Sequence, residues 1–123
     1  PYIDPEDPHL GCGDLPPEYL SHLTHAFDVP LFYVKGNHDI RYRERPPRGC
    51  RNIHERVVRF GGFNFMGLEG SMWYNGGPYQ YTEKEMARAI PRATLVAIED
   101  CGHLAPMERP EEVTATLRDW LQS

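Results

Sequence analysis

Cysteine is scarce in this chain. Cys12, Cys50 and Cys101 are an odd set with no C-x-x-C spacing, which fits a reducing, cytoplasmic setting better than a disulfide framework or a zinc cage. No run of about eighteen apolar residues occurs, so no membrane-spanning helix is expected. Positive charge is also short: 13 Lys and Arg face 18 Asp and Glu, for a net charge of -5. That balance argues against a general binder of nucleic acid or of a membrane surface. There is no internal repeat and no low-complexity segment. Pro1-Tyr2-Ile3-Asp4 shows neither an initiator Met nor a basic-then-apolar leader, and reads as the interior of a longer reading frame. What is plentiful is proline, with 12 residues, and glycine, with 11. A loop-rich α/β domain follows from that composition, rather than a helical bundle.

The chain is organised around Leu31-Phe32-Tyr33-Val34-Lys35. The β-branched and aromatic content predicts a buried strand after Val29-Pro30. Gly36 ends it and lets the backbone turn. Asn37, His38 and Asp39 then fall just past the strand's carboxyl end, where open α/β sheets bind ligands. Upstream, Leu10-Gly11-Cys12 can be the end of a short strand closing on Gly13-Asp14. Pro16-Pro17 opens a helix. Leu20, Leu23 and Phe27 share one face of it, and Pro30 requires it to stop near Asp28. Strand, helix and strand make a βαβ unit whose two strands are expected to be parallel.

Residues 40–52 are basic and proline-rich and read as an exposed loop. Arginines there can grip phosphate if an anion site lies near. Arg56–Phe60 and Phe63–Gly67 flank Gly61-Gly62, which predicts a hairpin with a primed turn and hence a mixed sheet. Gly70–Tyr81 is an aromatic loop carrying Trp73, Tyr74, Tyr79 and Tyr81. Thr82–Ala89 reads as a helix capped by Thr82 and Glu85. Thr94–Ile98 is strand-like, Glu99–His103 is a polar turn, and Pro110-Glu111-Glu112 opens a last helix. Val113, Leu117, Trp120 and Leu121 form the apolar stripe of that helix. Thr94–Ser123 is too small to fold alone and is expected to pack on the first part.

Two strand ends thus bring chemistry together. Asp14 offers a carboxylate able to bridge cations, and Asn37 offers a neutral oxygen ligand. His38 can protonate a leaving group or stabilise an oxyanion, and Asp39 can fix its tautomer. Gly13-Asp14 followed by Gly36-Asn37-His38-Asp39 resembles the second and third motifs of the calcineurin-like metallophosphoesterases. The resemblance covers about residues 9–85 and includes Leu68-Glu69-Gly70-Ser71 and Tyr79-Gln80-Tyr81-Thr82. It implies a partial αββα sandwich and a metal-dependent phosphoester hydrolase acting on a small phosphoester substrate. The intact family uses a dinuclear centre of Mn, Fe or Zn. Asp14 and Asn37 would be metal ligands, and His38 the catalytic imidazole with Asp39 beside it. The family's first motif, D-x-H, has no counterpart at its usual distance. Gly102-His103-Leu104-Ala105 lacks the second histidine of the family's G-H-x-H. A truncated derivative is therefore the expectation.

Residues from about 88 to 123 carry a second resemblance. Ile90-Pro91-Arg92-Ala93-Thr94-Leu95-Val96, then Gly102-His103-Leu104-Ala105-Pro106-Met107-Glu108-Arg109-Pro110, look like the end of an α/β-hydrolase, with His103 as the base of a Ser-His-Asp triad. No G-x-S-x-G elbow accompanies it. The expected organisation is therefore residues 1–86 as a phosphoesterase-like fragment and 87–123 as a hydrolase-like strand and helix. The alternatives to a phosphoesterase are an esterase-type fragment based on His103 and a non-catalytic remnant.

Overall fold

The apolar run after Pro30 is a strand with neighbours on both sides. In a computed structural model, which describes residues 7–90, 94, 96–102 and 104–122, His9–Cys12 forms β1, Leu31–Val34 forms β2 and Cys50–Asn52 forms β3. All three are parallel, in the order β1-β2-β3. His9 pairs with Leu31 and Cys12 with Val34. Leu31 pairs with Cys50 and Tyr33 with Asn52. The carboxyl ends of β1 and β2 are therefore level, which puts the Gly13 and Gly36 turns side by side.

Helix α1, Pro17–Ala26, joins the first two strands, with Pro17 in its first turn. A proline is tolerated there because the amide it lacks has no helical partner. The helix ends at Phe27, already extended at φ -125° and ψ 133°, on its way to Pro30. Its Leu20 side chain is only 1 % exposed and packs with Leu31, Tyr33 and Tyr42. Burying a leucine so fully contributes about 1.5–3 kcal/mol. Alternate residues of β2 point the other way: Phe32 packs with Ile53 and Val58, backed by Val34, Phe60 and Phe65. A strand buried on both faces reads as a continuous apolar run, which is what Leu31–Val34 is.

The second face is covered by a hairpin, β4 (Val58–Phe60) and β5 (Phe63–Phe65), antiparallel about Gly61-Gly62. Both glycines have positive φ, 56° and 82°, as a primed turn requires. The hairpin is a ladder of its own and not part of a mixed sheet. Its Phe60 and Phe65 lie against Phe32 on the face of β2.

The basic stretch 40–52 is more structured than an exposed loop. Ile40–Arg43 is a 3-10 turn whose Tyr42 is buried, and Cys50–Asn52 is β3. Two helix hydroxyls deliver β3 to its place. Ser21 Oγ accepts from Arg48 N at 2.9 Å, and Thr24 Oγ1 donates to Arg48 O at 2.9 Å. The aromatic loop is likewise bracketed by two short parallel strands, β6 (Ser71–Met72) and β7 (Gln80–Tyr81). Helix α2, Glu83–Ala89, starts at the expected capping box: Thr82 Oγ1 accepts from Glu85 N, and Glu85 Oε2 accepts from Thr82 N.

Two compact units divide the chain, Pro1–Arg92 and Ala93–Ser123. In the second, Ala105–Glu108 forms the short α3 and Pro110–Gln122 forms α4. The Glu108 carboxylate accepts from Gly102 N at 2.8 Å and Leu104 N at 3.2 Å. The expected strand over 94–98 is not formed at residues 94 and 96–98. The described elements of this unit are helices, and a strand without a partner leaves its backbone groups to water. His103 lies outside the described residues. The fold is α/β, and no described helix is long and apolar enough to cross a membrane.

Candidate functional site

After β1 the chain turns through two left-handed residues, Gly13 (φ 94°) and Asp14 (φ 53°). Aspartate tolerates this conformation better than most residues. The Gly13 turn presses on the turn after β2. A Cβ on residue 13 would stand 2.9 Å from both the Cα and the N of Gly36. A Cβ on residue 36 would overlap the Asp14 carboxylate. Two glycines are thus needed for the two strand ends to meet.

One carboxylate ties the turns together. Asp39 Oδ2 accepts from Gly36 N at 2.8 Å and from Asp14 N at 2.9 Å. The Asp14 side chain answers in the other direction, its Oδ1 accepting from His38 N at 3.2 Å. Burial pushes the Asp39 carboxyl above its ordinary pKa, and the two amides only partly offset that. Asp39 therefore acts first as a brace. Asp14 and His38 are exposed, while Asn37 and Asp39 are 4 % and 7 % exposed. The groups able to meet a ligand stand outside, on a buried frame.

Asn37 sits between an aromatic hydroxyl and the imidazole. Its Nδ2 donates to the Tyr74 hydroxyl at 2.9 Å and lies 3.3 Å from His38 Nε2. Asp14, His38 and Asp39 also line a cleft of about 190 Å³ with Pro16, Arg41 and Tyr42. Tyr42 is fixed there by its hydroxyl, which donates to Leu15 O at 2.6 Å. A larger cleft of about 780 Å³ contains Thr24, His25, Pro30 and Gly49, at the amino ends of β2 and β3. Ligands of parallel sheets bind at the carboxyl ends, so the smaller cleft is the candidate site.

Behind it lies a polar cluster with no counterpart in the sequence reading. Glu69 is 5 % exposed. Its Oε2 is 3.0 Å from Lys35 Nζ, and its Oε1 accepts from the Tyr81 hydroxyl at 3.1 Å. Glu69 N donates to His54 Nδ1 at 3.1 Å, which leaves the His54 proton on Nε2, 3.7 Å from Glu69 Oε1. Burial works against the Lys35 ammonium. The hydrogen bond and charge of Glu69, with Tyr79, outweigh it and hold the lysine pKa above its usual value. Burial and Glu69 together push the Tyr81 phenol up to about 12. Lys35 O also accepts from Gly70 N at 2.7 Å, so this cluster fixes the end of β2 just before the Gly36 turn.

Asp14 and Asn37 offer one carboxylate and one amide oxygen. These are hard donors suited to an ion such as Mn²⁺ that keeps waters or takes phosphoryl oxygens in its remaining positions. Among the described residues no three His, Cys, Asp or Glu side chains converge on one point.

No family model matches the chain, nor does any curated protein or solved structure compared with it.

Proposed function

We propose that the chain carries the phosphoester-hydrolysing site of a metal-dependent phosphoesterase of the calcineurin-like type, built on a partial αββα sandwich. One observation supports this reading above others. The Gly13-Asp14 and Gly36-Asn37-His38-Asp39 turns touch at adjacent parallel strand ends, with Asp14 Oδ1 on His38 N.

The roles follow from chemistry and exposure. Asp14 and Asn37 would hold the divalent cation through their oxygens. When bound, the cation neutralises phosphoryl charge and lowers the pKa of a coordinated water. His38, whose backbone N–H donates to Asp14, carries an exposed imidazole able to give a proton to the leaving oxygen or to stabilise charge developing on it. Asp39 keeps the two turns in register. Arg41, in the same cleft, can donate to a phosphoryl oxygen in place of its exposed partner Glu18, 2.8 Å away. Such an exposed pair contributes little to stability, so exchanging Glu18 for a phosphate costs little. A small phosphoester suits a cleft of about 190 Å³.

The test is turnover of an aryl phosphate by the chain reconstituted with Mn²⁺ after mild chelation. Activity is expected to appear with the metal, vanish on chelation, and fall at least a hundredfold in His38→Ala. Equal turnover by wild type and His38→Ala would remove the assigned role.

A further inference from the structure

Residues 70–82 carry no Asp, Glu, Lys or Arg, although such residues make up 25 % of the chain. Two rings in this neutral stretch, Trp73 and Tyr74, are 59 % and 54 % exposed. Exposed aromatic residues are common and need no explanation singly. Tyr74 differs in being held at both ends. At its backbone, Gln80 Oε1 accepts from the amides of Tyr74 and Asn75, each at 3.1 Å. At its tip, the hydroxyl is 2.9 Å from Asn37 Nδ2. The end of the loop is pinned as well: the Tyr79 ring centre lies 4.0 Å from Lys35 Nζ, and Arg43 Nε donates to the Tyr79 hydroxyl at 3.1 Å.

The tip of Tyr74 lies close to the imidazole to which proton donation is assigned. Asn37 Nδ2 is within reach of both the Tyr74 hydroxyl and His38 Nε2, at 2.9 and 3.3 Å. The hydroxyl is therefore no more than two such lengths from His38, whichever of these groups donates. A leaving oxygen that takes its proton from His38 must lie at that imidazole. The alcohol it belongs to then departs within reach of the Tyr74 ring. The stretch 70–82 supplies no charge to meet a second anionic group. The cations nearest it, Lys35 and Arg43, are engaged by Glu69 and Tyr79. Arg41, in the cleft, can meet the phosphoryl group itself.

We propose that Tyr74 is a specificity-determining residue whose ring stacks on an aromatic ring of an uncharged leaving group. This rests on the phosphoesterase reading and names its substrate class: phosphate monoesters of alcohols that bear an aromatic ring, rather than of alcohols that carry a second phosphate. As water adds its oxygen to phosphorus, the bond from phosphorus to the leaving oxygen breaks, and that oxygen takes the His38 proton. The stacked ring is present before and during this step, so its contribution is to KM rather than kcat. A ring already fixed at both ends loses little freedom on stacking.

The test compares Tyr74→Leu with Tyr74→Phe in the full chain with Mn²⁺. Both variants lack the hydroxyl, and only the second keeps the ring. Three substrates are used: phenyl phosphate, uridine 5′-monophosphate and glycerol 2-phosphate, the last without a ring. For a ring-bearing substrate, KM is expected to be about fivefold higher in Tyr74→Leu than in Tyr74→Phe, the scale of one aromatic pair. For glycerol 2-phosphate the two variants agree within about twofold. A KM difference with phenyl phosphate alone places the substrate ring directly on the leaving oxygen; one with the nucleotide places it a sugar away. Equal KM values in the two variants for both ring-bearing substrates, or a difference just as large for glycerol 2-phosphate, would overturn the assignment of Tyr74 alone. No hydrolysis of any of the three by wild type would overturn the phosphoesterase reading and this inference with it.

Discussion

The Asp14 carboxylate occupies the space beside Gly36 that any side chain on residue 36 would need. Gly36→Ala therefore forces the β1 and β2 turns apart. The expected cost is about 1–3 kcal/mol, the usual range for overpacking a tight contact. The urea midpoint reads it. A variant with an unchanged midpoint would mean the turns can separate freely.

Asp39 gives a pH signature. Its carboxyl is raised above 3.8, first by burial, so the folded protein favours the protonated form. As pH rises from 3.8 through the folded value, the native state holds the proton longer and stability declines. Asp39→Asn removes that slope while keeping an acceptor for the amides of Asp14 and Gly36. The difference between wild-type and variant unfolding free energies, measured across the acid range, should show it. Asp39→Ala is expected to be worse at every pH, by about 1–3 kcal/mol for each amide left without a partner.

Glu69 and Lys35 form a pair whose loss is felt in the whole unit. Glu69→Gln leaves the Lys35 ammonium, 18 % exposed, without a counter-charge. The expected cost is about 2–3 kcal/mol, below the ~3–5 of a fully buried pair because Lys35 keeps one flank in water. Wild type should also lose stability in alkali. The Lys35 pKa is raised above 10.5 and that of Tyr81 from 10.0 to about 12. Each proton is then held more tightly when folded, and that advantage is lost as pH climbs through those values. Glu69→Gln should flatten the alkaline limb of a stability profile.

Local signals account for much of what was legible in the sequence. The glycine after Leu31–Val34, the Gly61-Gly62 turn, the Thr82 and Glu85 cap and the Pro110 helix start each act within a few residues. Hence they could be read from neighbours alone. Cys50-Arg51-Asn52 has no strand-like composition and becomes β3 only through its pairing with Leu31–Tyr33. Glu69 looks like a surface acid. Its burial depends on Lys35, His54 and Tyr81, none of them a sequence neighbour. Thr94–Ile98 differs in the opposite sense: its composition is strand-like, yet residues 94 and 96–98 form no strand. In the candidate site, Asp14, Asn37, His38 and Asp39 were legible from two motifs. Tyr74 was not, because its bond to Asn37 spans 37 positions.

The hairpin turn offers a gain. Gly61 has φ 56°, and a Cβ placed there meets nothing within 4 Å. Asparagine accepts that conformation and restricts the unfolded chain more than glycine does. Gly61→Asn should stabilise by about 0.5 kcal/mol, seen as a small rise in melting temperature. Gly61→Val, β-branched and unsuited to positive φ, should lower it.

Asp39 Oδ2 serves two donors, the amides of Asp14 and Gly36. Whatever fluctuation frees one of these N–H groups withdraws the acceptor from the other. Their deuterium uptake should be synchronous, with a single protection factor shared by residues in the turns after two different strands. The two halves of the cleft would open as one door on one latch.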